Sequence, residues 1–158
     1  MDIPVRSAAP SPLDGVRLLS VNEDSIRALV HGFYDAVRKD SVIGPIFGRE
    51  IAPERWPQHL DKMCDFWSSL LLKTRRYEGR PLRPHLRIPE LSDAHFQQWL
   101  SLFRATAQRV FNEEDSEAVY ALAARIAQSF RLSVAFNRGE DTTRLTPLVA
   151  RAPTERTQ

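Results

Sequence analysis

The sequence contains little cysteine and little glycine. Its 158 residues include one cysteine, Cys64, which excludes an internal disulfide and fits a reducing compartment. None of the six glycines forms a nucleotide-binding Gly-x-Gly motif. Any redox chemistry by this chain would therefore need electrons from a separate reductase.

An excess of charge of one sign is also lacking. The 22 Lys and Arg residues against 20 Asp and Glu leave a net charge of +2, which is too balanced to indicate a nucleic-acid or membrane-surface protein. No apolar run reaches the roughly 20 residues that a transmembrane helix needs. The first residues, MDIPVR, have neither the basic start nor the apolar run of a secretory signal. We therefore expect a cytoplasmic protein without nucleic-acid or membrane partners.

Helical periodicity runs through the middle of the chain. Hydrophobic residues make up 42% of the sequence, as is usual for a folded domain. Apolar residues recur at helical spacing, no segment alternates as a strand does, and no repeat of fixed period occurs. The sequence predicts an all-α domain over residues 20–139. Prolines among polar residues predict flexible tails at 1–19 and 140–158.

The first helix is predicted to follow Ser20. Ser20 and Glu23 have the spacing of a capping box. Phe33 lies on the apolar stripe of this helix and Tyr34 at the edge of the stripe. Residues 44–53 begin with Gly-Pro, which predicts a break and a connector.

Three further long helices are predicted. The second, at about residues 55–73, places His59 on an apolar stripe. Two other members of that stripe are Met63 and Phe66. The third opens after Ser92, a good N-cap residue, and ends near residue 112. The fourth covers about residues 116–136.

An irregular stretch at residues 74–91 joins the second helix to the third. A bundle built only for stability would use fewer residues here. The stretch holds His85 in a predicted short helical turn at 82–87, and it is rich in arginine. Its arginines are Arg75, Arg76, Arg80, Arg83 and Arg87. A haem needs an imidazole for its iron, an apolar slot for its ring and cations for its propionates, and this region offers all three.

These residues resemble a known family. The matching parts are FY at 33–34, GPIF at 44–47, His59 with FW at 66–67, the run YEGRPL at 77–82 leading to His85, and WL at 99–100. They occur in the same order in the truncated haemoglobins, and the third group of that family is the most similar. Pro84 departs from the pattern and restricts the backbone of the residue before it.

The resemblance implies a shortened globin fold, a two-on-two helical sandwich around haem b. His85 matches the proximal iron ligand, and Tyr34, His59 and Trp99 match the distal positions that face a bound gas. The remaining residues expected to contact the haem are Phe33, Phe47, Met63, Phe66, Leu82, Arg83, Leu86, Ile88, Phe96 and Phe103.

Each of these residues also has a simpler interpretation. Without the resemblance, His85 would be read as a solvated loop residue and His59 as a hydrogen-bonded core histidine. Tyr34 and Trp99 would be interior aromatics whose polar tips find backbone partners. The arginines would be a solvated face.

Three functions follow from these alternatives. The first is a haem protein that binds oxygen, carbon monoxide or nitric oxide. The second is a redox enzyme that converts nitric oxide or reduces peroxide with an external reductase. The third is a cofactor-free helical interaction module. Within the first two, His59 is also a candidate to approach the iron when no gas is bound.

Overall fold

The computed structural model describes residues 11–13 and 15–150, without the side chains of residues 83 and 144. Its helices are α1 (Glu23–Lys39), α2 (Gly44–Glu50), α3 (Trp56–Leu71), α4 (Leu82–Leu86), α5 (Asp93–Val110) and α6 (Glu113–Asn137), with single 3₁₀ turns at Pro53–Arg55 and Thr142–Arg144. This part of the chain contains no strand, which confirms the all-α prediction. In the same residues, none of the helices has the length and apolar character that crossing a membrane requires.

Two helix pairs form the body of the domain. Helix α1 packs against α3 and α5, and α5 packs against α6. Phe33 on α1 and Phe103 on α5 meet edge to face at the centre, with 5.5 Å between ring centroids. Both side chains are fully buried, and each contributes about 2 to 3 kcal/mol through the hydrophobic effect. The short α4 lies against α6.

The cap of α1 is Asn22, so the prediction of Ser20 is wrong. The Asn22 side-chain oxygen accepts a hydrogen bond from the Ser25 amide at 2.8 Å, and the Ser25 hydroxyl accepts one from the Asn22 amide at 2.9 Å. Ser20 instead donates its amide at 2.6 Å and its hydroxyl to the carboxylate of Asp115. That carboxylate is buried at the start of α6 and needs donors, which a local sequence pattern does not reveal.

Gly44 and Pro45 start a helix, although they were expected to begin a connector. Proline fits the first turn of a helix because the backbone N–H there needs no intrahelical partner. A side chain at position 44 would place its Cβ 3.0 Å from the carbonyl oxygen of Val37, so glycine allows α2 to approach α1 closely. The Asp40 carboxylate caps this corner by accepting from the amides of residues 42 and 43 at 2.8 and 2.9 Å.

The start of α5 agrees with the prediction, and the start of α6 does not. Ser92 is the N-cap of α5, as predicted, and the His95 ring accepts from the Ser92 amide at 3.0 Å. Helix α6 starts earlier than the expected residue 116, because Asn112 caps it by accepting from the Asp115 amide at 2.8 Å. Only residues 111 and 112 separate the two helices.

The segment after α6 contacts that helix. The Arg131 guanidinium donates to the carbonyl oxygen of Thr146, and the Leu148 amide donates to the Gln128 side chain at 2.9 Å. The parts of the two expected tails at residues 1–10, 14 and 151–158 lie outside the described residues. The tail boundaries therefore stay predictions, while residues 146–148 are hydrogen-bonded to α6.

Candidate functional site

Tyr34 and His59 meet at one end of the interface between α1 and α3. Their ring centroids are 5.0 Å apart and the rings are nearly perpendicular. Trp56 lies one helical turn before His59, and its ring centroid is 5.5 Å from that of His59 and 5.9 Å from that of Tyr34. The helical repeat of α3 therefore places an indole and an imidazole on the face that meets the buried tyrosine.

The His59 imidazole is half-buried, and its Nε2 atom is enclosed. Among the residues that the structure describes, this nitrogen has no hydrogen-bond partner. Burial lowers the pKa of His59, and the charges of Lys62 and His85 lower this pKa further. An enclosed imidazole nitrogen without a partner costs free energy, and a bound group that meets Nε2 would remove that cost. The Nε2 of His31 is in the same condition.

The Tyr34 hydroxyl is held in its protonated form. Burial raises the pKa of Tyr34 well above its ordinary range, since the low dielectric disfavours the phenolate. The ring is fixed on several sides, with Phe33 at 4.9 Å and Phe47 at 5.9 Å between centroids. Tyr34 therefore offers a hydroxyl on a rigid ring.

His85 lies in α4, as the predicted short turn required. Its Nδ1 is 2.6 Å from the carbonyl oxygen of Pro81. A carbonyl only accepts, so Nδ1 carries the proton and Nε2 keeps its lone pair. Burial lowers the pKa of His85, and the ring packs 4.9 Å from Phe130. Pro84 is accommodated because it lies in the first turn of α4.

Trp99 belongs to a neighbouring aromatic layer. It stacks on Phe103 at 5.4 Å and meets the edge of Phe33 at 5.2 Å. Phe33 also touches Tyr34, so one ring connects the tyrosine to the indole. The structure thus brings Tyr34 and His59 into direct ring contact, and it links Trp99 to them through Phe33.

The other predicted contact residues fall into three groups. Buried ones are Phe33, Ile88, Phe96 and Phe103, and half-buried ones are Phe47, Met63, Phe66, Leu82 and Leu86. Phe66 contacts Trp67 and Tyr77, at 5.4 and 5.2 Å between centroids. Leu86 lines an open cavity of about 400 Å³ against Leu132 and Phe136 of α6. The side chain of Arg83 lies outside the described residues.

Two residues of this region were not predicted as site residues. Trp56 lies one turn before His59 on α3, and its three-residue spacing from His59 could have indicated a shared face. Phe130 packs against His85 from 45 positions along the chain, and no local pattern signals that contact. The long-range contact depends on how α4 lies on α6.

These residues fit a haem. His85, whose Nδ1 donates to the Pro81 carbonyl, and His59, whose Nε2 has no partner in the described residues, could each offer an imidazole nitrogen to iron, and the neighbouring aromatic side chains could line the porphyrin ring. Arg76, one of the five arginines of residues 74–91 that were considered as partners of the propionates, already forms an ion pair with Glu23 at 3.3 Å.

Comparison with known proteins agrees with this interpretation. Residues 21–131 match the model of the family described as bacterial-like globin. The chain therefore belongs to the bacterial-like globin family, whose members bind haem and gases, and the predicted truncated globin fold is confirmed.

The particular relatives are truncated haemoglobins of the third group. The chain is 38% identical over 114 residues to the group 3 truncated hemoglobin of Campylobacter jejuni. This alignment covers 71% of this chain and 90% of that protein. The crystal structure of group III truncated hemoglobin from Campylobacter jejuni matches with a TM-score of 0.70 and 36% identity, over 75% of this chain and 95% of that one. The resemblance to group III is thus confirmed.

Proposed function

We propose that His85 is the proximal ligand of a haem b iron, and that Tyr34, His59 and Trp99 surround a diatomic gas on the opposite side. The observation that carries this proposal is the pair of imidazoles. His85 Nε2 keeps its lone pair because Nδ1 donates to the Pro81 carbonyl, and His59 Nε2 is enclosed with no partner in the described part of the chain. The haem would supply reversible binding of oxygen, carbon monoxide or nitric oxide at its iron.

The proximal residues orient the metal-binding nitrogen. The Pro81 carbonyl fixes the tautomer of His85 and raises the basicity of its other nitrogen, as hydrogen bonds to metal-ligating histidines do. The lowered pKa keeps the imidazole neutral and therefore able to coordinate near neutral pH. Phe130 limits rotation of the ring by packing against it.

The distal residues differ in what they can offer a gas. The Tyr34 hydroxyl can donate or accept a hydrogen bond, the Trp99 indole can only donate, and the neutral His59 can do either. Because the raised pKa of Tyr34 keeps its proton in place, the tyrosine acts as a donor over the physiological range. We infer that this set favours oxygen over carbon monoxide, because oxygen would draw electron density from the iron and accept hydrogen bonds, whereas carbon monoxide is a weaker acceptor.

The test replaces His85 with alanine and compares His95→Asn as the control. His95 is a histidine of the α5 capping box, and asparagine can accept the same hydrogen bond from the Ser92 amide. After haem reconstitution, we expect His85→Ala to lose the spectrum that shifts with carbon monoxide and the thermal stability that cofactor binding provides, while His95→Asn keeps both. An unchanged spectrum in His85→Ala would refute the assignment. If the wild type takes up no haem and His85→Ala has the same thermal stability as the wild type, the cofactor-free interaction module is favoured.

A redox reaction at the same site is the second candidate. A tyrosine held as a donor beside His59, with Trp99 linked to it through Phe33, would also suit conversion of nitric oxide or reduction of peroxide. An external reductase would supply the electrons. Multiple-turnover assays with an added reductase, on the wild type, Tyr34→Phe and Trp99→Phe, distinguish the enzyme from a gas carrier.

We also propose that His59 approaches the iron when no gas is bound. Its Nε2 has no hydrogen-bond partner among the described residues, and the lowered pKa of His59 favours the neutral ring that can coordinate a metal. We expect a six-coordinate ferrous spectrum that His59→Leu converts to a five-coordinate one. A five-coordinate spectrum in the wild type would exclude this role.

A further inference from the structure

The segment that follows α4 connects His85 to α5 without regular structure. Residues 87–92 join α4 (Leu82–Leu86) to α5 (Asp93–Val110). The Ile88 amide donates to the carbonyl oxygen of His85 at 3.2 Å, so the backbone of the histidine is tied directly to this segment. Ile88 and Leu91 anchor it with buried side chains. The position of His85 therefore depends on where residues 88–91 are held.

Arg138 binds three carbonyl groups of this segment. Its guanidinium donates to Leu91 at 2.5 Å, to Ile88 at 3.1 Å and to Pro89 at 2.8 Å. Arg138 directly follows α6, and its own amide is bonded to the last turn of that helix. A planar guanidinium with several fixed N–H groups suits this task, because one side chain can satisfy carbonyls that point in different directions.

The short α4 has few other means of fixing its orientation. It has five residues, and no side-chain hydrogen bond caps its N-terminus. Its main helical neighbour is α6, the helix that Arg138 terminates. Loss of the carbonyl contacts would leave residues 88–91 held by the buried side chains of Ile88 and Leu91, by the solvent-accessible ion pair of Glu90 with Arg49, and by their chain connections.

We infer that Arg138 is a positioning residue for the proximal histidine. By holding the carbonyls of Ile88, Pro89 and Leu91, it sets the direction from which the His85 imidazole meets the iron, and it slows the loss of the haem. This inference rests on the proposed ligation by His85.

The experiment compares Arg138→Met and Arg138→Lys with Arg109→Met. Arg109 is an exposed arginine in the last turn of α5, so its removal also takes a cation from a helix C-terminus. We measure haem transfer to an excess of an acceptor apoprotein, the iron–imidazole stretching frequency of the ferrous protein, and amide hydrogen exchange of the haem-free protein.

The expected results follow from charge-assisted bonds to three carbonyls. Arg138→Met should release haem about tenfold faster and lower the stretching frequency, since each lost bond weakens the anchor. Hydrogen exchange should accelerate in residues 82–91 and not in α1 or α5. Arg138→Lys should fall between the wild type and Arg138→Met, because lysine keeps the charge without the planar fork. Arg109→Met should match the wild type.

The outcomes separate this inference from the proposed function. If His85→Ala keeps the wild-type spectrum, the ligand assignment fails. If His85→Ala loses the spectrum while Arg138→Met keeps the wild-type release rate and stretching frequency, only the positioning role is overturned. Faster hydrogen exchange in all helices alike would also overturn the positioning role. Wild-type behaviour of Arg138→Lys would overturn it too, because a positive charge alone would then account for the effect. If Arg138→Met does not take up haem, Arg138→Lys and the exchange data still decide.

Discussion

Removal of the Tyr34 hydroxyl tests the distal side of the proposed site. Tyr34→Phe deletes one oxygen and leaves a ring of the same shape. Phe33, Phe47 and His59 contact the Tyr34 ring at 4.9 to 5.9 Å between centroids, so we expect the phenyl ring to stay in place. The substitution therefore isolates the hydrogen-bonding group from the packing.

The size of the effect follows from the character of that bond. A hydrogen bond to a partly charged partner in a buried site contributes about 1.5 kcal/mol, which corresponds to roughly a tenfold change in a rate or affinity. We expect oxygen to dissociate about tenfold faster from Tyr34→Phe. Carbon monoxide is a weaker hydrogen-bond acceptor, and its dissociation should change by less than about twofold.

The assay is stopped-flow displacement of oxygen from the ferrous protein by excess carbon monoxide. Tyr120→Phe is the matched control, because Tyr120 lies on α6 against the guanidinium of Arg104 at 4.7 Å. An oxygen dissociation rate in Tyr34→Phe within about twofold of the wild-type rate would refute the role of the hydroxyl. An equal change in Tyr120→Phe would show that the effect does not come from the site.

Three further predictions concern the surroundings of the site. Asp93→Ala should lower the free energy of unfolding by about 3 kcal/mol, because it removes the carboxylate partner of the buried Arg131 guanidinium. Arg131→Met should lower it by about 1 kcal/mol, because the half-exposed Asp93 carboxylate is then hydrated. Equal losses in urea denaturation would contradict this asymmetry. The ion pair of Glu90 with Arg49 lowers the pKa of Glu90, so its stabilisation is present above the ordinary glutamate pKa and is lost as the pH falls through the folded value. Melting temperatures should therefore fall more steeply for the wild type than for Glu90→Gln between about pH 5 and pH 3, and parallel curves would exclude the contribution. Phe103→Ala should lower the free energy of unfolding by about 4 kcal/mol in the same urea experiment, because the fully buried ring leaves a cavity among three aromatic neighbours; a cost below about 1 kcal/mol would contradict that packing.

The fold was predictable where the signals are local. The apolar periodicity of α3 and the cap at Ser92 identified two helices, and the prolines around His85 indicated a short turn that the structure shows as α4. The proposed roles of His59, His85 and Tyr34 came from the family resemblance. Without that resemblance, spacing alone favoured a solvated loop position for His85.

Features that depend on distant partners were not predictable. Ser20 bonds a carboxylate 95 positions away, and for this reason a local capping rule misplaced the start of α1. Arg138 and Phe130 reach the His85 region from α6 across 45 to 50 positions. Such contacts depend on how the helices pack in three dimensions, which residue spacing does not encode.

The two-residue connection between α5 and α6 has a consequence for the order of folding. Contacts between these helices close a very short loop, so the hairpin of α5 and α6 can form early at little entropic cost. The long stretch between α3 and α5 must instead be ordered from both ends. We expect nascent, cofactor-free chains to acquire a scaffold first and to complete the histidine-bearing turn last, when a porphyrin is available to be enclosed.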